Sequence, residues 1–227
     1  MQPRAICVWG DSIAKGVVFD ENRRRYVILK DHCLRMLQCV LPIPVVNHGV
    51  MGCTAKACLE TMEQVDMIPG GVAVIEFGGN DSDMDWRAVA QAPTDAHPAR
   101  SSLAEYADSL RGIVRTVRDG GMTPVIVPPL PLDGEKYFQW VSRGLDGQAI
   151  LQYLGDAHMM YRWQEQYADA ARDVAAQEKA ALLDVRGALL GNRSFYRFYC
   201  LDGIHLNEAG HRAIYEYVLP RAQACMA

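Results

Sequence analysis

The feature that most constrains this chain is the alternation of short, unbroken apolar runs with longer stretches of helical periodicity. Segments 5–9, 44–47, 71–77, 123–127 and 181–185 read as buried strands, and most stop at glycine or proline. Between them, apolar residues recur at i, i+3/i+4 and i+7. Tyr26, Leu29, Cys33, Leu34, Leu37 and Leu41 form one such stripe, and Leu103, Tyr106, Leu110, Ile113, Val114 and Val117 another. Met160, Trp163, Tyr167, Ala171 and Val174 form a third, and Ala213, Ile214, Tyr217 and Val218 a fourth. Unbroken apolar strands alternating with amphipathic helices require a parallel sheet covered on both faces. The expectation is an α/β fold: a three-layer α/β/α sandwich around a five-stranded parallel sheet. Such sheets bind ligands beyond the carboxyl ends of their strands.

At 227 residues the chain fits one domain, 1–227, with a substantial core. A net charge of −4 lacks the basic footprint of nucleic-acid binders. The cluster Arg23-Arg24-Arg25 reads as a solvated loop or helix start. Seven cysteines, an odd number without a C-x-x-C pair, sit largely in apolar segments and read as reduced thiols. Arg4 is followed at once by a strand-like run, so a secretory leader is not expected and a cytoplasmic setting is. No run approaches the ~20 apolar residues needed to span a bilayer. A homo-oligomer is compatible with these features. Two segments exceed the minimal pattern, 81–100 and 130–156. Both follow strand ends and are expected to wall or cover a pocket.

Residues able to do chemistry fall just after the strands. Ser12 follows the first in Gly10-Asp11-Ser12-Ile13, Gly52 follows the second, and Asn80 follows Gly78-Gly79 after the third. A lone serine here is ordinarily a cap or turn residue, and the glycines and asparagine ordinarily belong to turns. The G-x-S-x-G elbow of another hydrolase fold is absent, with Ala14 in its last glycine position. Asp202-Gly203-Ile204-His205 precedes the last helical stripe, and in an Asp-x-x-His loop both side chains can turn to one side. A metal reading of Asp202, His205, Glu208 and His211 ranks last, because the H-E-x-x-H spacing is missing. Cys53 has apolar neighbours and reads as structural.

Together these pieces resemble the SGNH hydrolases, also called GDSL-type esterases and lipases. Gly10-Asp11-Ser12-Ile13 is similar to the family's first block and Asn47-His48-Gly49-Val50-Met51-Gly52 to its second. Gly78-Gly79-Asn80-Asp81 and Asp202-Gly203-Ile204-His205-Leu206-Asn207 resemble the third and last, in the same order. The resemblance implies a flavodoxin-like sandwich, with Ser12 as nucleophile, His205 as base and Asp202 orienting it. It also implies an oxyanion hole from the backbone N–H groups of Ser12 and Gly52 and the Asn80 side chain, with no metal or cofactor. Ile13 stands where the family often has leucine, a volume-conserving change.

The expected reaction is hydrolysis of a carboxylic ester, most readily a short acetyl ester of a carbohydrate or small molecule. Asp11, Trp86, Tyr137 and Trp140 are the expected substrate contacts. A lysophospholipase or thioesterase for longer chains is the alternative, with Trp86, Tyr137, Phe138, Trp140 and Met159 as tunnel residues. A non-catalytic binding module on the same fold is the alternative of another class.

Overall fold

A computed structural model describes residues 2–226, so the first and last residues of the expected 1–227 span lie outside it. The sheet contains β1 (Ile6–Gly10), β4 (Val45–Asn47), β5 (Val72–Glu76), β6 (Thr123–Val127) and β7 (Ala181–Leu182). All its pairings are parallel, in the order β4-β1-β5-β6-β7. Along β5, Ala73 and Ile75 face one way, while Val72, Val74 and Glu76 face the other. The first face packs on α3 (Ala55–Thr61), α5 (Leu103–Asp119) and α8 (Met159–Gln177). The second packs on α2 (Cys33–Val40), α9 (Val185–Leu190) and α10 (Glu208–Ala224). The three-layer expectation holds.

The best-formed covering helix is α5. Ser102 and Glu105 close a capping box at its start, and Tyr106, Leu110, Ile113, Val114 and Val117 bury one stripe against the sheet. A smaller cluster joins α4 (Trp86–Gln91), α6 (Gly134–Val141), α7 (Gly147–Leu154) and the start of α8. It consists largely of the two extra segments, and they lie together above the carboxyl ends of the strands.

Two expectations are corrected. The stripe from Tyr26 to Leu41 is not one helix. Val17–Asp20 (β2) and Arg25–Ile28 (β3) form an antiparallel hairpin, and only Cys33–Val40 is helical. Val17, Val18, Phe19, Tyr26, Val27 and Ile28 are β-branched or aromatic and favour strands, an influence that outweighs the accidental helical spacing. The arginine cluster turns this hairpin, with Arg24 at φ 51°. The fifth strand is also shorter than expected, because Asp184 accepts a hydrogen bond from the Gly187 N–H and starts α9. A short helix α1 (Ser12–Lys15) follows β1 directly.

The strand order places the reversal at β1, which has β4 on one side and β5 on the other. The loops after these three strands therefore frame one crevice. Ile113→Ala, which empties a fully buried site between α5 and the sheet, is expected to cost about 2–5 kcal/mol in urea unfolding.

Candidate active site

Ser12 is held by the turn that precedes it. A Cβ at Gly10 would lie 2.8 Å from Ala14 Cβ and 3.0 Å from the Glu76 carbonyl oxygen, so only glycine lets β1 turn this tightly. Asp11 caps α1, its Oδ1 accepting from the Ile13 N–H at 2.8 Å. Ser12 is the first helical residue, so its own N–H has no acceptor within the helix. Asn47 ties the neighbouring loop to this turn by donating from Nδ2 to the Ala14 carbonyl at 2.8 Å and accepting from the Gly49 N–H at 2.8 Å.

Asp202 and His205 come from the loop before α10. Gly203 has φ 73°, and a Cβ there would lie 2.5 Å from the Tyr137 nitrogen, so the loop needs glycine at that point. Asp202 Oδ1 accepts from the His205 and Ile204 N–H groups at 3.0 and 3.2 Å. Its Oδ2 lies 2.7 Å from His205 Nδ1, and His205 Nε2 lies 2.9 Å from Ser12 Oγ. Burial alone would raise the Asp202 pKa. The hydrogen bonds and charge of His205, with the Ile204 N–H, outweigh it and hold the carboxyl below its ordinary value. An ionised Asp202 can only accept, so Nδ1 carries the proton and Nε2 is free to accept from the Ser12 hydroxyl.

Asn80 Nδ2 donates to Asp11 Oδ2 at 2.8 Å. Arg100 donates to Asn80 Oδ1 at 3.4 Å and to the Gly52 carbonyl at 3.2 Å. The amide is thus oriented from both ends, and its second N–H remains for the cavity. Beneath it, the fully buried Asp81 accepts from the Ala55 N–H at 3.1 Å and from Ser101 Oγ at 2.9 Å, locking the loop to α3 and to the segment before α5.

Ser12, Gly52, Asn80 and His205 line one cavity of about 420 Å³. Its size is that of a small-molecule site. Asp11, Trp86 and Tyr137 also reach it. Trp140 does not, because its ring packs edge-on against Phe19 at 4.8 Å and beneath the Arg143 guanidinium. Met159 lines the cavity and Phe138 does not. All seven cysteines are free, and the half-buried Cys53 has its thiol pKa raised by burial and by the charges of Asp11 and Asp81.

Three further residues were not singled out by the sequence. Tyr26 of the hairpin lies against the His205 ring, with centroids 5.0 Å apart. Burial and the nearby Asp202 carboxylate raise its pKa. Arg100 closes the far end of segment 81–100 onto both donor loops. Glu76, the last residue of β5, is buried under Asp11, and burial and the Asp11 charge push it well above the ordinary carboxyl value. The signal for Glu76 was a lone acid closing an apolar strand. No local pattern marks Arg100.

Burial raises Asp11 to about 6, against hydrogen bonds from the Ile13 N–H and Asn80 and the attraction of His205. Its folded value exceeds an unfolded aspartate's, ~3.9. The stability it contributes is therefore full below that value and lost as pH rises through about 6. Asp11→Asn removes this dependence. The Tm of the variant minus that of the native protein should increase between about pH 4 and 7 in a thermal-melt series. Asn80→Ala, which removes one oriented donor, should lower kcat by about 10²–10³-fold in steady-state ester hydrolysis.

Comparison with known proteins agrees with this fold. The GDSL-like Lipase/Acylhydrolase family matches residues 8–213. Solved structures share the fold over nearly their whole lengths. A lipase/acylhydrolase from Enterococcus faecalis is 17% identical, with 99% of this chain and 97% of that one covered and a TM-score of 0.66. LAE5, an α/β hydrolase enzyme from the metagenome of Lake Arreo, Spain, is 22% identical over 100% and 98% of the two chains, with a TM-score of 0.66. Axe2, an acetylxylan esterase from Geobacillus stearothermophilus, is 20% identical over 97% and 94%, with a TM-score of 0.65. None of the curated proteins compared matches the chain. The family match spans the crevice loops from β1 to the start of α10, and on it the chain belongs to the GDSL-like lipase/acylhydrolase family, as a carboxylic ester hydrolase.

Proposed function

We propose that this enzyme hydrolyses its ester through an acyl-enzyme on Ser12. The observation that carries the reading is the continuous contact from Asp202 through His205 to Ser12, opening onto one cavity. His205 Nε2 takes the Ser12 proton as Oγ attacks the ester carbonyl, and Asp202 stabilises the imidazolium. The Ser12 and Gly52 N–H groups and Asn80 Nδ2 receive the oxyanion. His205 then protonates the leaving alcohol, and a water activated by the same nitrogen releases the acid.

For the substrate we propose a short acyl group, such as acetyl, on a carbohydrate or small alcohol. The fold shared with an acetylxylan esterase is consistent with this. The apolar wall formed by Met51, Met84, Leu130, Leu132, Leu154 and Ile204 favours a second reading, in which a longer acyl chain fills the cavity, as in a lysophospholipase or thioesterase. A cytoplasmic setting accompanies the proposal, supported by the buried free thiols Cys7, Cys33, Cys58 and Cys200.

Ser12→Ala should abolish p-nitrophenyl acetate hydrolysis and labelling by a fluorophosphonate probe. An unlabelled, folded native protein would instead support a non-catalytic binding module. Across p-nitrophenyl esters, kcat/KM should peak at short chains. A maximum beyond about eight carbons would establish the second reading, each buried methylene being worth ~0.8 kcal/mol.

A further inference from the structure

Part of the cavity wall beyond the residues around Ser12 has an unusual chemical makeup. Asp83 lines it, and its Oδ1 accepts from Trp86 Nε1 at 2.9 Å and from the Tyr137 hydroxyl at 2.5 Å. Both donors also line the cavity, so the carboxylate is fixed by two aromatic side chains whose N–H and O–H protons are already engaged, Trp86 Nε1 also lying 3.2 Å from the Tyr137 hydroxyl oxygen. The same is true of two more lining aromatics. Trp163 Nε1 donates to the Ser82 carbonyl at 3.0 Å, and the Tyr153 hydroxyl donates to the His97 carbonyl at 3.2 Å. With their protons engaged, these four side chains present to a ligand ring carbon and the acceptor lone pairs of the two tyrosine oxygens, and no free donor.

Of the acids that reach the cavity, Asp11 and Glu76 are buried at the ends of β1 and β5 and Asp83 stands in the aromatic wall, and among the described residues no lysine or arginine lines it. Arg100 lies at the oxyanion-hole loops, where its guanidinium is held by Asn80 and Gly52. Asp83 Oδ2, by contrast, has no hydrogen-bond partner among the described residues. A hydroxyl-rich ligand needs many polar partners, and this wall provides few. A compact cation with an apolar body matches a carboxylate set among aromatic rings, because the π-face attracts cations and the carboxylate adds a full charge.

We propose that the cavity wall built from Asp83, Trp86, Tyr137, Tyr153 and Trp163 binds an alkylammonium group on the alcohol portion of the ester. The inference rests on the short-acyl esterase reading, since an acetyl group leaves most of the 420 Å³ cavity to the alcohol. Asp83 is then a substrate-binding residue. It takes no part in proton transfer, and the chemistry at Ser12 is unchanged. Both extra segments, 81–100 and 130–156, contribute to the wall.

The test compares acetylcholine with 3,3-dimethylbutyl acetate, which has nearly the same shape without the charge. The native enzyme should show kcat/KM about tenfold or more higher for acetylcholine. In Asp83→Asn, which keeps an acceptor for Trp86 and Tyr137, that ratio should fall toward one. Tetramethylammonium chloride, used on the native protein, should inhibit p-nitrophenyl acetate hydrolysis competitively and more strongly than sodium chloride at equal ionic strength. This second measurement decides the matter if the variant does not fold. A ratio near one for the native enzyme, or equal inhibition by the two salts, overturns the cation site. So does a preference for acetylated sugars over acetylcholine. If the neutral ester is hydrolysed in a Ser12-dependent way without cation preference, the esterase reading stands and this proposal alone falls. If no ester is hydrolysed and no fluorophosphonate adduct forms, both fall.

Discussion

The structure depends on the parallel pairing of β1 with β4 on one side and β5 on the other. Every strand of a parallel sheet directs its carboxyl end the same way, so three loops distant in sequence meet at one edge. Side-chain ties from Asn47, Asp11 and Arg100 then fasten these loops to one another. The site's precision therefore derives from the most buried part of the molecule, where Cys7, Trp9, Ala73 and Ile75 are almost entirely shielded from water. Catalytic groups carried by such a frame lose little to disorder.

Asp11 converts that frame into an oriented site. One oxygen fixes the turn that carries Ser12, and the other fixes the amide of Asn80. A buried carboxylate is costly, and here its cost falls on an element whose two hydrogen bonds both serve geometry at the reacting centre. Burial and the Asp11 charge push Glu76, at the end of the neighbouring strand, well above the ordinary carboxyl value.

Much of this was legible in the sequence, and the reasons are local. Unbroken apolar strands and a well-capped α5 signal themselves within a window of a few residues, and the four motif blocks fall where strands end. The Asp202–His205 pairing was legible because a three-residue spacing can serve one loop. What was not legible depended on distant partners. Tyr26 fitted a helical stripe until the hairpin claimed it, since β-propensity is realised only against a partner strand. Trp140 looked like a ligand contact, and its ring packs instead against Phe19 and Tyr26 of that same hairpin, with Arg143 over it. Arg100 and Asp83 carry no recognisable pattern, because their roles follow from the way segment 81–100 folds back, with Met84 bridging to Ala99.

The hairpin has a further consequence. A two-stranded ribbon has little stability of its own, and among the described residues β2–β3 pairs with no other strand. Its order is borrowed from the contacts of Phe19 with Trp140 and of Tyr26 with His205. The imidazole is therefore flanked on one side by the rigid loop that carries Asp202 and on the other by an element of low independent cooperativity. His205 sits where that loop meets the hairpin, and Tyr26 is part of what shelters its ring from water.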